Sequence, residues 1–147
     1  MAATAALSGF GTVLARGGTA IGDAYTAIAE VMDINFSGTT VTKLDASNMD
    51  SPNGHEESIP GMAAIGEFTF DVNYNLDTAT HETLQADVET VPQTRRYWKI
   101  TFPPASSSVG NWIFFGYVSK FIPKVPFNGK MTATVGLQGS GKYTRAG

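Results

Sequence analysis

Hydrophobic and polar residues alternate without a break from Glu67 to Tyr74. A period of two sends successive side chains to opposite faces of an extended chain. Phe68, Phe70, Val72 and Tyr74 therefore share one face, and Glu67, Thr69, Asp71 and Asn73 share the other, which predicts a half-buried strand over 66–74. Trp98, Ile100 and Phe102 alternate with Tyr97, Lys99 and Thr101, and Met131, Ala133, Val135 and Leu137 alternate with Lys130, Thr132, Thr134 and Gly136. Strands over 96–102 and 129–138 follow. Runs 25–36 and 111–122, rich in β-branched and aromatic residues, also read as strands, and Asn128-Gly129 supplies a hairpin turn before the last strand. The period changes once. Leu84, Val88 and Val91 recur at i, i+4 and i+7, predicting a helix over about 79–90, with Asp77 or Thr78 as N-cap and Pro92 closing it.

The stretches without a period are as informative. Thr42 to Met62 is polar, with Pro60-Gly61 as a turn near its return, and reads as a long loop over 38–64. Compact domains connect their elements with roughly 4–6 residues, and structureless loops beyond about 12–15 are uncommon unless functional. Such a loop points to an interface. Residues 1–24, with Gly9, Gly11, Gly17, Gly18 and Gly22, read as an extended N-terminal arm; 139–147 read as a Gly-rich tail. Pro103-Pro104 and Ser106-Ser107-Ser108 predict another loop. The expected fold is mainly β: one domain, 1–147, a small antiparallel β-barrel or sandwich of about five or six strands with one flanking α-helix and a long inter-strand loop.

Composition removes several possibilities. The chain has 147 residues and no cysteine, so neither a disulfide framework nor a thiolate metal site is available. Its apolar runs are too short to span a bilayer as a helix, and the start lacks the basic region of a signal peptide. A cytoplasmic product is the simplest expectation. The net charge of −3 hides a segregation: all 13 carboxylates lie between Asp23 and Glu89, while eight of the 10 basic residues follow from Arg95 onward. Either the halves pair within one fold, or the acidic surface of one copy meets the basic surface of the next. DNA binding is disfavoured by a pI near 5.2.

No catalytic constellation emerges. Gly136 to Lys142 fits G-x-x-x-x-G-K, but Tyr143 stands where Ser or Thr should hold magnesium, and no helix can follow in the five residues left. His55 and His81 lack metal-ligand spacing and read as surface residues. Glu67 and Asp71 sit about 13 Å apart along one strand face, too far for a glycosidase pair. No catalytic residue, metal or cofactor is expected. What stands out is the polar face of Glu67, Thr69, Asp71 and Asn73 with Thr132 and Thr134, either an ordinary solvated sheet face or the wall of a water-filled channel whose acidic lining repels a passing polyanion.

The run Gly9-Phe10-Gly11-Thr12-Val13-Leu14-Ala15-Arg16-Gly17 resembles the opening of major tail proteins (tail tube proteins) of long-tailed, siphovirus-type bacteriophages. So do Tyr25 to Ile34, Val41-Thr42-Lys43-Leu44-Asp45, and Ser58-Ile59-Pro60-Gly61-Met62 followed by Gly66-Glu67-Phe68-Thr69-Phe70. The resemblance spans about residues 9–76; beyond them only the order of elements agrees. It implies a structural virion protein that forms hexameric rings, stacked into a hollow tube for DNA ejection. The implied partners are further copies of itself, the tape measure, the tail tip or baseplate and the terminator, with double-stranded DNA as transient cargo. The implied location is the virion tail, assembled in the host cytoplasm. Ring stacking would fall on Lys43, Leu44, Asp45, Asn48, Met49, Asp50, His55, Glu56, Glu57, Ile59 and Pro60. Glu67, Thr69, Asp71, Asn73, Thr132 and Thr134 would face the lumen. Phe10, Leu14, Arg16, Lys142, Tyr143 and Arg145 would form inter-subunit arms. The alternatives are another tail ring component, such as a terminator or baseplate protein, or a monomeric β-sandwich binding carbohydrate or an adhesion partner through Trp98, Trp112 and Tyr117.

Overall fold

The structure, a computed structural model, describes residues 9–102 and 111–146. The expected loop at 103–108 lies outside the described residues, as do the first eight residues of the arm and Gly147 of the tail. In chain order the elements are β1 (Val13–Arg16), β2 (Thr26–Ala27), β3 (Val31–Phe36), β4 (Thr39–Asp45), β5 (Ser58–Ile65), β6 (Glu67–Asn73), α1 (Ala79–Glu89), β7 (Arg96–Thr101), β8 (Asn111–Lys124), β9 (Thr132–Gly139) and β10 (Thr144–Ala146). One sheet runs β2-β1-β7-β8-β9-β6-β3, with β10 on β8, and β4-β5 form a separate two-stranded ribbon. Every pairing is antiparallel. The chain is a mainly-β fold with one helix, as the alternation predicts.

The apolar positions of each alternating run meet in one core. Phe68, Phe70 and Val72 of β6, Trp98 and Ile100 of β7, Phe114 and Val118 of β8, and Ala133, Val135 and Leu137 of β9 are all buried. Each large side chain removed from water there contributes about 1.5–3 kcal/mol. Phe68 stacks between Phe36 and Phe114, with both centroid distances 4.1 Å.

Several elements depart from the sequence expectation. The strand expected over 25–36 is two, because Glu30 takes a left-handed φ of 60° and breaks the extended run. The expected 38–64 loop is largely the ribbon β4-β5, and Pro60-Gly61 lies inside β5 rather than at a turn. All seven residues of β4 are exposed, so no burial period marks it. The N-terminal arm contributes β1, paired to β7 from Val13↔Thr101 to Arg16↔Trp98, and the C-terminal tail contributes β10. The segment after Gly139 continues along β8 as a strand and forms no phosphate loop.

The helix begins after Thr78, as expected, but its buried stripe is His81, Leu84 and half-buried Val88. Val91 lies past the helix end and is exposed. His81 is fully buried, which corrects its reading as a surface residue. Its Nδ1 accepts the Asn75 N–H at 3.3 Å, so its Nε2 carries the proton and donates to the Ala29 carbonyl at 2.8 Å. The ring thereby ties the helix to the turns on both sides. His81→Phe keeps the volume but leaves the Ala29 carbonyl and the Asn75 amide unpaired, and should cost about 1–3 kcal/mol in urea unfolding.

Candidate assembly surfaces

Pairing of β6 with β9 gathers the predicted polar side chains on one surface. Asp71 lies beside Thr134, and Asn73 beside Thr132, with Glu67 and Thr69 completing the β6 row. The contacts are direct. Thr134 Oγ1 donates to Asp71 Oδ1 at 2.7 Å, and Thr69 Oγ1 donates to Glu67 Oε1 at 3.3 Å. Asn73 Nδ2 donates to Glu30 Oε2 at 3.1 Å.

The face is not purely acidic. A register shift between Val118 and Lys120 brings two consecutive β8 residues over Glu67. Ser119 Oγ donates to Glu67 Oε2 at 2.9 Å, and Lys120 Nζ lies 3.3 Å from Glu67 Oε1. The Ser119 bond, followed by Lys120, holds the Glu67 carboxyl below its ordinary range. Ile122 and Lys124, beside Thr134 and Thr132, extend the same surface. Sequence reasoning missed Ser119, Lys120 and Lys124, because a bulge leaves no mark in a run of alternating residues.

The ribbon forms the second surface. It leaves the sheet through Ser37-Gly38 and returns through Gly66. Gly38 has φ +91°, and a Cβ on Gly66 would strike Ser37 Oγ and the Gly38 carbonyl, so both positions require glycine. Leu44 and Ile59 are direct cross-strand partners and stay exposed at 46% and 54%. Its tip is internally bonded. Ser51 Oγ donates to Glu57 Oε2 at 2.8 Å, Ala46 N–H to the Glu57 carbonyl at 2.9 Å, and Ser47 N–H to Asp45 Oδ1 at 2.9 Å. The Ser47 amide bond leads in holding the Asp45 carboxyl low. Glu57 is half-buried by this network, whereas Lys43, Asp45, Asn48, Met49, Asp50, His55, Glu56 and Pro60 are exposed.

The residues expected as arms divide. Leu14 belongs to the core, and Arg16 grips Asp87 of α1 through Nε at 2.8 Å and an Nη at 2.9 Å. Both serve the chain's own fold: Leu14 turns into the core, and Arg16, two residues on along the same face of β1, reaches α1. Arg96 Nε lies 3.9 Å from the same carboxylate. With Lys120–Glu67, the Arg96–Asp87 contact pairs the acidic and basic halves within one chain. Tyr143 packs on Trp112 and Phe36, and Arg145 sits in β10 beside Trp112, so the tail lies on its own sheet. Phe10 and Lys142 are exposed.

The binding-module alternative loses one stacking platform. Trp98 is buried and donates Nε1–H to the Gly116 carbonyl at 3.3 Å, and Trp112 is half-buried against Phe102. Among the described residues, no group of three metal-ligating side chains converges, and no helix is long and apolar enough to cross a membrane.

A family model described as lambda phage tail tube protein matches residues 13–146. No curated protein matches the chain. Among solved structures, the tail of an empty gene transfer agent particle, refined helically with C6 symmetry, aligns with TM-score 0.76 at 14% identity, covering 97% of this chain and all of that one. The SPP1 tail tube aligns with TM-score 0.67 at 10% identity over 92% of this chain and 76% of that one. An extracellular contractile injection system, in its sheath/tube terminator structure, aligns with TM-score 0.71 at 7% identity, covering 99% of this chain and all of that one.

Ser119→Ala should raise the Glu67 pKa toward 4.5, its ordinary value, in a carbon-13 NMR titration of the carboxyl. Because the folded-state pKa is depressed, Glu67 contributes stability above its unfolded pKa and loses it as pH falls through the folded value. Ser119→Ala should therefore flatten the acid limb of the stability profile.

Proposed function

The chain belongs to the lambda phage tail tube protein family, and we propose that six copies close a ring and that rings stack into a hollow tail tube. The observation that carries this reading is the one-sided sheet. Its inner face is core, while its outer face over β8, β9 and β6 is a bonded layer of short polar and charged side chains. Six such faces around an axis make a mostly polar wall with no strongly basic surface for DNA to adhere to. The C6 symmetry of the gene transfer agent tail supports the ring size.

The lining residues in this reading are Glu67, Thr69, Asp71, Asn73, Thr132 and Thr134, joined by Lys120 and Lys124. Glu67 is neutralised within the face by Lys120, and Asp71 and Lys124 balance, so the face is close to neutral. The ribbon β4-β5 reaches a neighbouring ring and stacks on it through Leu44, Ile59 and the 46–57 tip, with exposed Lys142 and Arg145 as peripheral contacts. The wider partners are the tape measure, tail tip and terminator, with double-stranded DNA as passing cargo. The protein acts in the virion tail after assembly in the host cytoplasm, and its role is structural rather than enzymatic.

A second reading is a single terminating ring, favoured by the fold match to the sheath/tube terminator structure. The two differ in growth. Stacking faces that complement each other extend without limit, whereas a terminator stops after one ring. Negative-stain microscopy across a concentration series, with purified tail-tip complex as nucleus, should show hollow tubes that lengthen with protein. Single rings at every concentration would favour the terminator, and small particles alone would overturn both.

Replacing residues 46–57 by Asn-Gly should leave the circular dichroism of the fold intact and reduce tubes to unstacked rings; full tubes would remove the ribbon tip from stacking. Glu67→Lys with Asp71→Lys turns the face basic, so virions carrying both changes should assemble tails yet eject DNA at least about ten-fold more slowly. Normal ejection kinetics would count against this face as the lining.

A further inference from the structure

Only two asparagines of the chain precede a glycine, Asn53 and Asn128. An asparagine's carboxamide carbon lies within reach of the next residue's backbone nitrogen, and a glycine there has no side chain to obstruct the approach. The other asparagines precede Phe36, Met49, Tyr74, Leu76 and Trp112, all bulky. Asn53, Gly54, Asn128 and Gly129 are all exposed, so exposure does not separate the two pairs.

The backbone separates them. Asn53 is held at φ 56° and ψ 24° in the short turn Pro52–Gly54. There the Gly54 N–H donates to the Ser51 carbonyl at 3.4 Å, and the His55 N–H donates to the Pro52 carbonyl at 3.1 Å. Asn128 and Gly129 lie in the connection between β8 and β9. Among the described residues, nothing bonds the Asn128 carboxamide or the Gly129 N–H. Val125 and Phe127, 70% and 107% exposed, give that connection little packing. Lys130 follows directly, and a neighbouring cation favours the deprotonated form of a nitrogen acid.

We propose that Asn128 is a site of spontaneous self-modification whose only co-reactant is water. The Gly129 nitrogen loses its proton to solvent base and attacks Asn128 Cγ. The new C–N bond closes a succinimide, and the carboxamide nitrogen takes up a proton and leaves as ammonia. Water then opens the ring at either carbonyl. Attack at the side-chain carbonyl restores the ordinary backbone with an aspartyl residue, and attack at the main-chain carbonyl leaves an isoaspartyl linkage. One water is consumed and one ammonia released, with nothing oxidised or reduced. Either product puts a carboxylate beside Lys130, and the isoaspartyl form lengthens the turn by a methylene. Lys124 and Thr132, which end β8 and begin β9, are paired on the polar surface, so the change falls at its rim. The reaction needs one copy only and proceeds whether or not rings form.

The test holds the purified full chain in warm, mildly alkaline buffer, samples it over time and digests it with trypsin at mildly acidic pH. Cleavage after Lys124 and Lys130 isolates residues 125–130, while Asn53 falls in the fragment 44–95. Isoaspartyl methyltransferase with a labelled methyl donor, together with the amide-to-acid mass gain, reads both sites. Fragment 125–130 should show about five-fold more conversion than fragment 44–95, the factor one net hydrogen bond supports. Asn128→Gln should abolish it, since the extra methylene disfavours ring closure. Gly129→Ala should slow it, and the added Cβ meets only Pro126, at 3.3 Å from Cγ. In a urea-unfolded control the two sites should convert at similar rates, because neither turn survives. Equal conversion at both sites of the folded chain, or an excess at Asn53, would overturn the proposal. So would an intact Asn128 in the folded chain once the unfolded control has converted.

Discussion

A stack of three phenylalanine rings sets the geometry of this protein. Phe36 and Phe68 are neighbours on paired strands, but Phe68 and Phe114 come from strands separated by β9 and still lie face to face at 4.1 Å. Strands two positions apart in a flat sheet stand about 9.5 Å from each other. Their contact therefore accompanies a strong curl, with the concave face filled by the rings and the helix. Since the alternating apolar residues of β6, β7 and β9 turn inward, the outer face over β6 and β9 is left to short polar side chains. Filling one face and wetting the other are one consequence of the same alternation.

Curling without closing leaves ends. The first and last strands of the sheet do not meet, and β8 outruns the strand that covers it. In a monomer such edges are an aggregation liability. On β8 the uncovered edge carries Pro123, which cannot donate to a further ladder. The ion pairs Arg96–Asp87 and Lys120–Glu67 join the basic and acidic parts of the sequence within one copy. Among the described residues, neither reaches the acidic ribbon tip.

The sequence was readable wherever burial imposes a period. Glu67 to Asn73 appears as predicted because every second residue is buried, and Ala79 to Glu89 appears because Leu84 and Val88 share a side. β4 and β5 were not readable: a ribbon exposed on both sides has no apolar period, and Pro60-Gly61 mimics a turn. β1 is four residues set among glycines. His81 hid for another reason: its burial is supported by the Asn75 amide and by the Ala29 carbonyl 52 residues away, which nothing near residue 81 signals. The polar rows of β6 and β9 could be listed from alternation, but Ser119 and Lys120 joined them only through a bulge. The family resemblance supplied what spacing could not, since assembly depends on surfaces between copies.

The ribbon's isolation has a kinetic meaning. Apart from its base at Ile65, its strands form a ladder with no other described strand, and a lone two-stranded ribbon is marginal in water. Its ladder is thus the least secured part of a free copy, and the entropy of fixing it is settled when another surface covers it. A first contact between two free copies must order two ribbons at once, whereas a copy arriving at an existing ring meets a surface already arranged. Initiation is then slow and elongation fast. A cell could hold a large pool of such subunits in solution until a template appears.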